Sequence, residues 1–127
     1  MNEKILINAR IVDPSQKLDE LGSILIDKYG KIRAIGKKIE YAVSTFFEKQ
    51  GKEDPTKNFG WDYVLVDNDK VVNAWCMPGG KIAVYTGLLK VTKNINALSI
   101  VMGHEIAHAV ARHSVERMSH AMTINLG

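Results

Sequence analysis

Five consecutive residues carry the densest chemistry in this chain: His104-Glu105-Ile106-Ala107-His108. On a helix, residues four apart lie on one face, about one turn and ~6 Å of axial rise apart. Two imidazoles so placed can grip one zinc ion. Glu105 stands about 100° around the helix from His104. It can lean over the metal without ligating it and take a proton from water that the metal activates. The flanks Ala97-Leu98-Ser99-Ile100-Val101-Met102-Gly103 and Ala109-Val110-Ala111 are mostly apolar or small, the pattern of a helix crossing a core. Two histidines and a glutamate in such a run are costly unless paired or ligated. The plainer alternative is a helix with incidental polar residues and satisfied core histidines.

The motif needs elements to hold it. A long helix is expected over residues 94–118, capped by Asn94 or Thr92. Ahead of it, β-branched and aromatic runs predict strands at 61–66, 71–75 and 81–85. Turns fall at Asp67-Asn68-Asp69 and Met77-Pro78-Gly79-Gly80. The last strand, Lys81-Ile82-Ala83-Val84-Tyr85, follows Gly80 and lies shortly before the motif helix. Proteases hold peptides extended, and an exposed sheet edge can take the substrate as an added strand. Residues Gly80, Lys81, Ile82, Ala83, Val84 and Tyr85 are therefore candidates for substrate binding; an ordinary hairpin with a glycine turn is the alternative.

The first forty residues also read as strands. Ile5, Ile7, Ala9 and Ile11 alternate over 4–12, and further strands are expected at 23–27 and 31–35, joined by a hairpin turn at Tyr29-Gly30. An amphipathic helix follows over 38–50, with Ile39, Ala42, Val43, Phe46 and Phe47 on one face and Gly51 at its C-terminus. Residues 52–60 are polar, contain Pro55, and read as a loop. The expected fold class is α+β: small antiparallel β-sheets, one from the N-terminal segment and one preceding a long zinc-binding helix.

The 127 residues suit one modest core, and the 46% hydrophobic and 24% charged content is that of a soluble globular protein. The net charge of +3 is small and its lysines and arginines are interspersed with acids, which argues against nucleic acid or an anionic membrane as partner. Cys76 is the one cysteine, so no intrachain disulfide forms, and a small buried hydrophobe is its simplest role. The N-terminal apolar stretch is too short for a signal peptide, and no run approaches the ~20 apolar residues of a membrane span. As written, the chain is expected in the cytoplasm. Met118, Met122, Ile124 and Leu126 lack an obvious partner, which suggests self-association.

The stretch Val72-Asn73-Ala74-Trp75-Cys76-Met77-Pro78-Gly79-Gly80-Lys81-Ile82-Ala83-Val84-Tyr85-Thr86-Gly87-Leu88-Leu89, then Val101-Met102-Gly103-His104-Glu105-Ile106-Ala107-His108 and Arg112-His113, resembles the M48 family of zinc metallopeptidases. The likeness covers about residues 61–118. It implies a zinc-dependent endopeptidase acting on polypeptides, with one Zn2+ per chain. His104 and His108 would be the first two ligands, Glu105 the general base, and the 80–85 strand a border of the substrate cleft. Members of the family are often membrane-associated or periplasmic.

The family's third ligand is a glutamate on a later helix, past the point where this sequence stops. Glu116 lies ~18 Å along the helix from His104, His120 farther, and His113 points ~140° away from His108. A metzincin pattern needs glycine at position 111 and histidine at 114, where Ala111 and Ser114 stand. Two protein ligands and weak or absent cleavage are the expectation.

The N-terminal runs Ile5-Leu6-Ile7-Asn8-Ala9-Arg10-Ile11-Val12-Asp13-Pro14, Gly22-Ser23-Ile24-Leu25-Ile26-Asp27 and Gly30-Lys31-Ile32-Arg33-Ala34-Ile35-Gly36 are instead similar to the first strands of dihydroorotase and related amidohydrolases. No His-x-His metal motif accompanies them, so no catalytic residue carries over. The chain reads as a dihydroorotase-like β segment over 1–40 joined to a truncated M48-like domain over 41–127. A non-enzymatic remnant of a fused or decayed gene is the alternative; an amidohydrolase lacks its barrel and motif here.

Overall fold

The computed structural model describes residues 4–6 and 16–126, and the side-chain surroundings of 24–113, 119, 120, 122 and 123. In order, the elements are β1 (Lys4–Leu6), α1 (Gln16–Lys49), β2 (Asp62–Asp67), β3 (Ala74–Met77), β4 (Lys81–Tyr85), α2 (Thr86–Thr92) and α3 (Ile95–Leu126). The fold class is α+β.

Residues 23–27 and 31–35 are not strands. They belong to α1, which runs unbroken through the expected hairpin turn and on through residues 39–41. The buried positions Leu25, Tyr29, Ile32, Ile35 and Gly36, followed by the partly buried Ile39 and Val43, recur at intervals of three and four. That is one helical stripe. A five-residue run such as Ser23-Ile24-Leu25-Ile26-Asp27 fits either period by itself, so the longer repeat decides. Gly30 was the misleading residue: it faces solvent with no atom within 4 Å of where a Cβ would stand, and a helix tolerates it at modest cost. The strands on which the amidohydrolase likeness rested are thus helix at 23–35. Of the 4–12 alternation, Lys4–Leu6 is strand and the remainder lies outside the described residues. The expected helix over 38–50 is the last part of α1. It ends in a Schellman turn: Gly51 adopts φ 66°, its N–H donates to Glu48 O, and Lys52 N–H donates to Phe47 O.

Two antiparallel sheets were expected; the described strands form one mixed sheet of order β1-β2-β4-β3. β1 runs antiparallel to β2 (Ile5 opposite Val66), β2 runs parallel to β4 (Val64 opposite Ala83), and β3 runs antiparallel to β4 (Cys76 opposite Ile82). β4 matches its expected bounds, whereas β3 begins at Ala74 rather than at residue 71.

One face of the sheet meets all three helices. Tyr63, Leu65, Ala74, Ile82 and Val84 pack with Leu25, Tyr29 and Ile32 of α1, Leu88 of α2, and Leu98, Met102 and Ile106 of α3. α1 lies against β2 through a close fit. A Cβ on Gly36 would stand 2.0 Å from the Tyr63 ring, so only glycine admits that ring. The Tyr63 hydroxyl donates to Glu40, and Lys37 Nζ sits 5.7 Å from the ring centroid. Burial, then the Glu40 bond and charge, push the Tyr63 phenol well above its ordinary range. The opposite face buries Val64, Val66 and Ala83, with Trp75 and Tyr85 against them.

α2 stops where Lys93 takes a left-handed conformation, φ 55°, and its N–H caps Leu89 O. Asn94 then opens α3: its side-chain oxygen accepts the Ala97 N–H at 2.8 Å, the cap the sequence suggested.

Candidate metal and hydrolytic site

α3 is held by a buried stripe: Leu98 at 6% exposure, Met102 and Ile106 at 0%, and Ala109 at 3%. These side chains fix the rotation of the helix about its axis and so determine where the other faces point. His104 and His108 stand off this stripe and are exposed, and Glu105 is half-buried. The premise that the histidines sit in a core is therefore corrected. Their neighbours are apolar because α3 also borders a groove, and desolvation does not compel a ligand.

Geometry does the arguing instead. The two Nε2 atoms are 2.9 Å apart, and the rings are perpendicular with centroids 4.4 Å apart. Zinc–imidazole bonds are ~2.0–2.1 Å, so a tetrahedral ion wants its two nitrogens about 3.3 Å apart. The observed pair would subtend about 90° at such an ion. A few tenths of an ångström of opening, within the reach of small side-chain rotations, would reconcile the two. The donors are chemically apt and converge on one point, so this pair fits a zinc ion. Among the described residues, no group of three or more His, Cys, Asp or Glu side chains is placed to hold a metal. His113 is turned elsewhere, edge-to-face with Phe59 at 5.3 Å, and His120 is exposed on the distal part of α3.

β3 packs against α3. Its Cys76 is half-buried, and burial pushes the thiol up to about 11, with the nearby negative charge of Glu105 adding to the rise. Glu105 is therefore close enough to β3 for its charge to act on Cys76. Nothing in the sequence alone tied Cys76 to Glu105; the pairing depends on β3 lying beyond β4.

The family model for peptidase family M48 matches residues 36–126. The chain belongs to peptidase family M48. It is 50% identical over 60 residues to the mitochondrial metalloendopeptidase OMA1 of Arabidopsis thaliana, covering 47% of this chain and 12% of that protein. It is 42% identical over 57 residues to the human mitochondrial metalloendopeptidase OMA1, covering 45% of this chain and 11% of that one. With the metalloprotease YcaL of Escherichia coli it shares 40% identity over 53 residues, 42% of this chain and 20% of the other. This M48 chain thus spans between about a tenth and a fifth of the length of these curated relatives.

Within this M48 domain, residues 80–85 do not form a free edge. β4 is paired on both sides, with β2 and with β3, so its backbone cannot accept a substrate strand. Gly80, Ile82, Ala83 and Val84 are buried, Tyr85 is half-buried and Lys81 is exposed. The chain passes from β2 to the far edge before returning as β4, which places β3 outermost. The local turn signals did not reveal that crossover. Among the described strands β1 and β3 are the two edges, and β3 is the edge that packs against α3. Among the described residues no helix is long and apolar enough to cross a membrane.

Proposed function

We propose that this chain carries the zinc-binding pair and general base of a metalloendopeptidase. The carrying observation is the convergence of His104 Nε2 and His108 Nε2 at 2.9 Å on the exposed side of a buried helix. His104 and His108 would hold the ion, and when bound it supplies Lewis acidity that polarises a carbonyl and acidifies water.

The chain's own residues do the rest. An extended peptide pairs with the open side of β3, Ala74–Met77, using main-chain hydrogen bonds as an added strand would. β4 backs β3 and keeps it flat against α3. That pairing lays a peptide carbonyl beside the histidine face. Glu105 accepts the proton of the attacking water and delivers it to the departing amine nitrogen. Its half-buried position near β3 suits that transfer. Zinc held by these two histidines as its protein donors binds more weakly than in a three-ligand site.

Equilibrium dialysis against buffered zinc tests the binding half. Wild type should take up one ion per chain, and His104→Ala or His108→Ala should lower the affinity markedly. Equal uptake by wild type and both variants would remove the proposal.

A further inference from the structure

We infer that His113 is a positioning residue, locking the end of β3 to α3 through Phe59 so that the open edge keeps its place beside the histidine pair. The inference rests on the reading of β3 as the substrate edge.

His113 follows the motif on α3 and is half-buried. Its ring meets Phe59 in a T-shape, centroids 5.3 Å apart and planes at 79°. Phe59 in turn tilts onto Trp61, with centroids again 5.3 Å apart. Both rings fill the space over Gly80: a Cβ there would stand 3.1 Å from Phe59 and 3.1 Å from Trp61. Gly80 is the last residue of the turn that ends β3, with its N–H donating to Met77 O at 3.1 Å.

The aromatic contacts therefore run without a gap from α3 to the turn that fixes where β3 stops. Phe59 is itself set by local bonds. Its N–H donates to Thr56 O, and Asp54 accepts from the Thr56 N–H and from Ser44 of α1. The histidine pair and the edge strand belong to different elements, and this tie governs their spacing at the β3 end. Small errors of placement at a reacting centre are costly, about 100-fold for 1 Å, so a residue fixing that spacing acts on the reaction without touching the substrate.

Hydrogen exchange on the zinc-loaded full chain tests this without requiring turnover. In His113→Ala, exchange across residues 74–81 should quicken by roughly 2- to 12-fold, the range an aromatic pair contributes. Exchange across 64–66 should stay unchanged, and His113→Phe, which keeps the edge-to-face contact, should restore the wild-type pattern. No change over 74–81, equal quickening in both segments, or failure of the phenylalanine variant to restore would overturn the inference. So would loss of zinc in step with His113→Ala, which would make His113 a ligand.

Peptide hydrolysis supplies the second arm. His113→Ala should lower kcat at matched zinc content, and an unchanged kcat in an enzyme that cleaves would also overturn it. If exchange behaves as stated while wild type cleaves nothing, His113 still positions β3 and it is the hydrolytic reading that fails.

Discussion

α1 and α3 are of similar length, 34 and 32 residues, and both lean on the same face of one sheet, yet they spend their surfaces differently. α1 buries a single stripe and gives the remainder to water, where ion pairs such as Lys31–Asp27 at 3.3 Å contribute little. α3 divides into three sides. One is the core stripe of Leu98, Met102 and Ile106. A second, with Ser99, Gly103 and Ala107, faces α1 across an apolar groove of about 730 Å³ lined also by Ile39, Val43 and Phe46. The third carries His104 and His108. A helix that only packs needs one apolar stripe. A helix that must also present chemistry separates the residues that hold it from the residues that react, so mutation should be able to separate stability from activity on α3 and not on α1.

The sharpest test of that separation is Glu105→Gln. General-base removal typically costs 10²–10⁴-fold in rate, so peptide cleavage at matched zinc content should fall by that order while the thermal midpoint and zinc uptake stay at wild-type values. Cleavage at the wild-type rate would place the activity elsewhere.

The converse comes from the buried side of the same helix. Met102→Ala removes a fully buried side chain and should lower unfolding free energy by about 2–5 kcal/mol, read from urea titration. Zinc affinity measured on the folded fraction should not move. A change in that affinity would show that the two sides of α3 are coupled.

α1 offers a smaller effect with an internal control. Gly36→Ala forces the Tyr63 ring aside and disturbs its bond to Glu40, a strain of about 1–3 kcal/mol, offset by up to ~1 kcal/mol of helix propensity. Gly30→Ala, where a methyl group meets open space, should stabilise by ~0.5–1 kcal/mol. Equal effects at both sites, by thermal denaturation, would mean that the Tyr63 contact does not restrict α1.

The smallest expected effect is on pH. Burial raises the Asp54 carboxyl, but hydrogen bonds from the Ser44 side chain and from the Thr56 side chain and N–H outweigh it and hold the group below its ordinary 3.8. A depressed carboxylate stabilises the fold above its unfolded value and loses that contribution as pH falls through its folded value. The stability gap between wild type and Asp54→Asn should therefore be present at neutral pH and narrow below pH 3.8. A gap that widens in acid would reverse the sign.

The same contrast explains what the sequence could convey. On α3 and the strands before it, the signals are short-range: the Asn94 cap and the bounds of β4 both follow from local chemistry. The His-Glu-x-x-His spacing likewise gives its geometry directly. On α1, Ile24, Leu25 and Ile26 satisfy two periods at once, and Gly30 imitates a turn. Only the repeat of Leu25, Tyr29, Ile32 and Ile35 over the longer span resolves it. The order of the strands was illegible for another reason. The parallel pairing of β2 with β4 is a non-local contact, and no residue in the connecting turns encodes it. The exposed edge expected at residues 80–85 is accordingly an inner strand, paired on both sides.

That arrangement has a kinetic consequence. β3 and β4 are joined through Pro78, Gly79 and Gly80, so their pairing is a local hairpin of the kind that closes in ~1–10 μs. The parallel union of β2 with β4 must first close a longer loop and belongs to the slower, high-contact-order part of folding. The edge strand that packs against α3 is therefore expected to pair with β4 before β2 joins them. Because it is outermost, it can also detach and re-form while the β2–β4 pair stays intact.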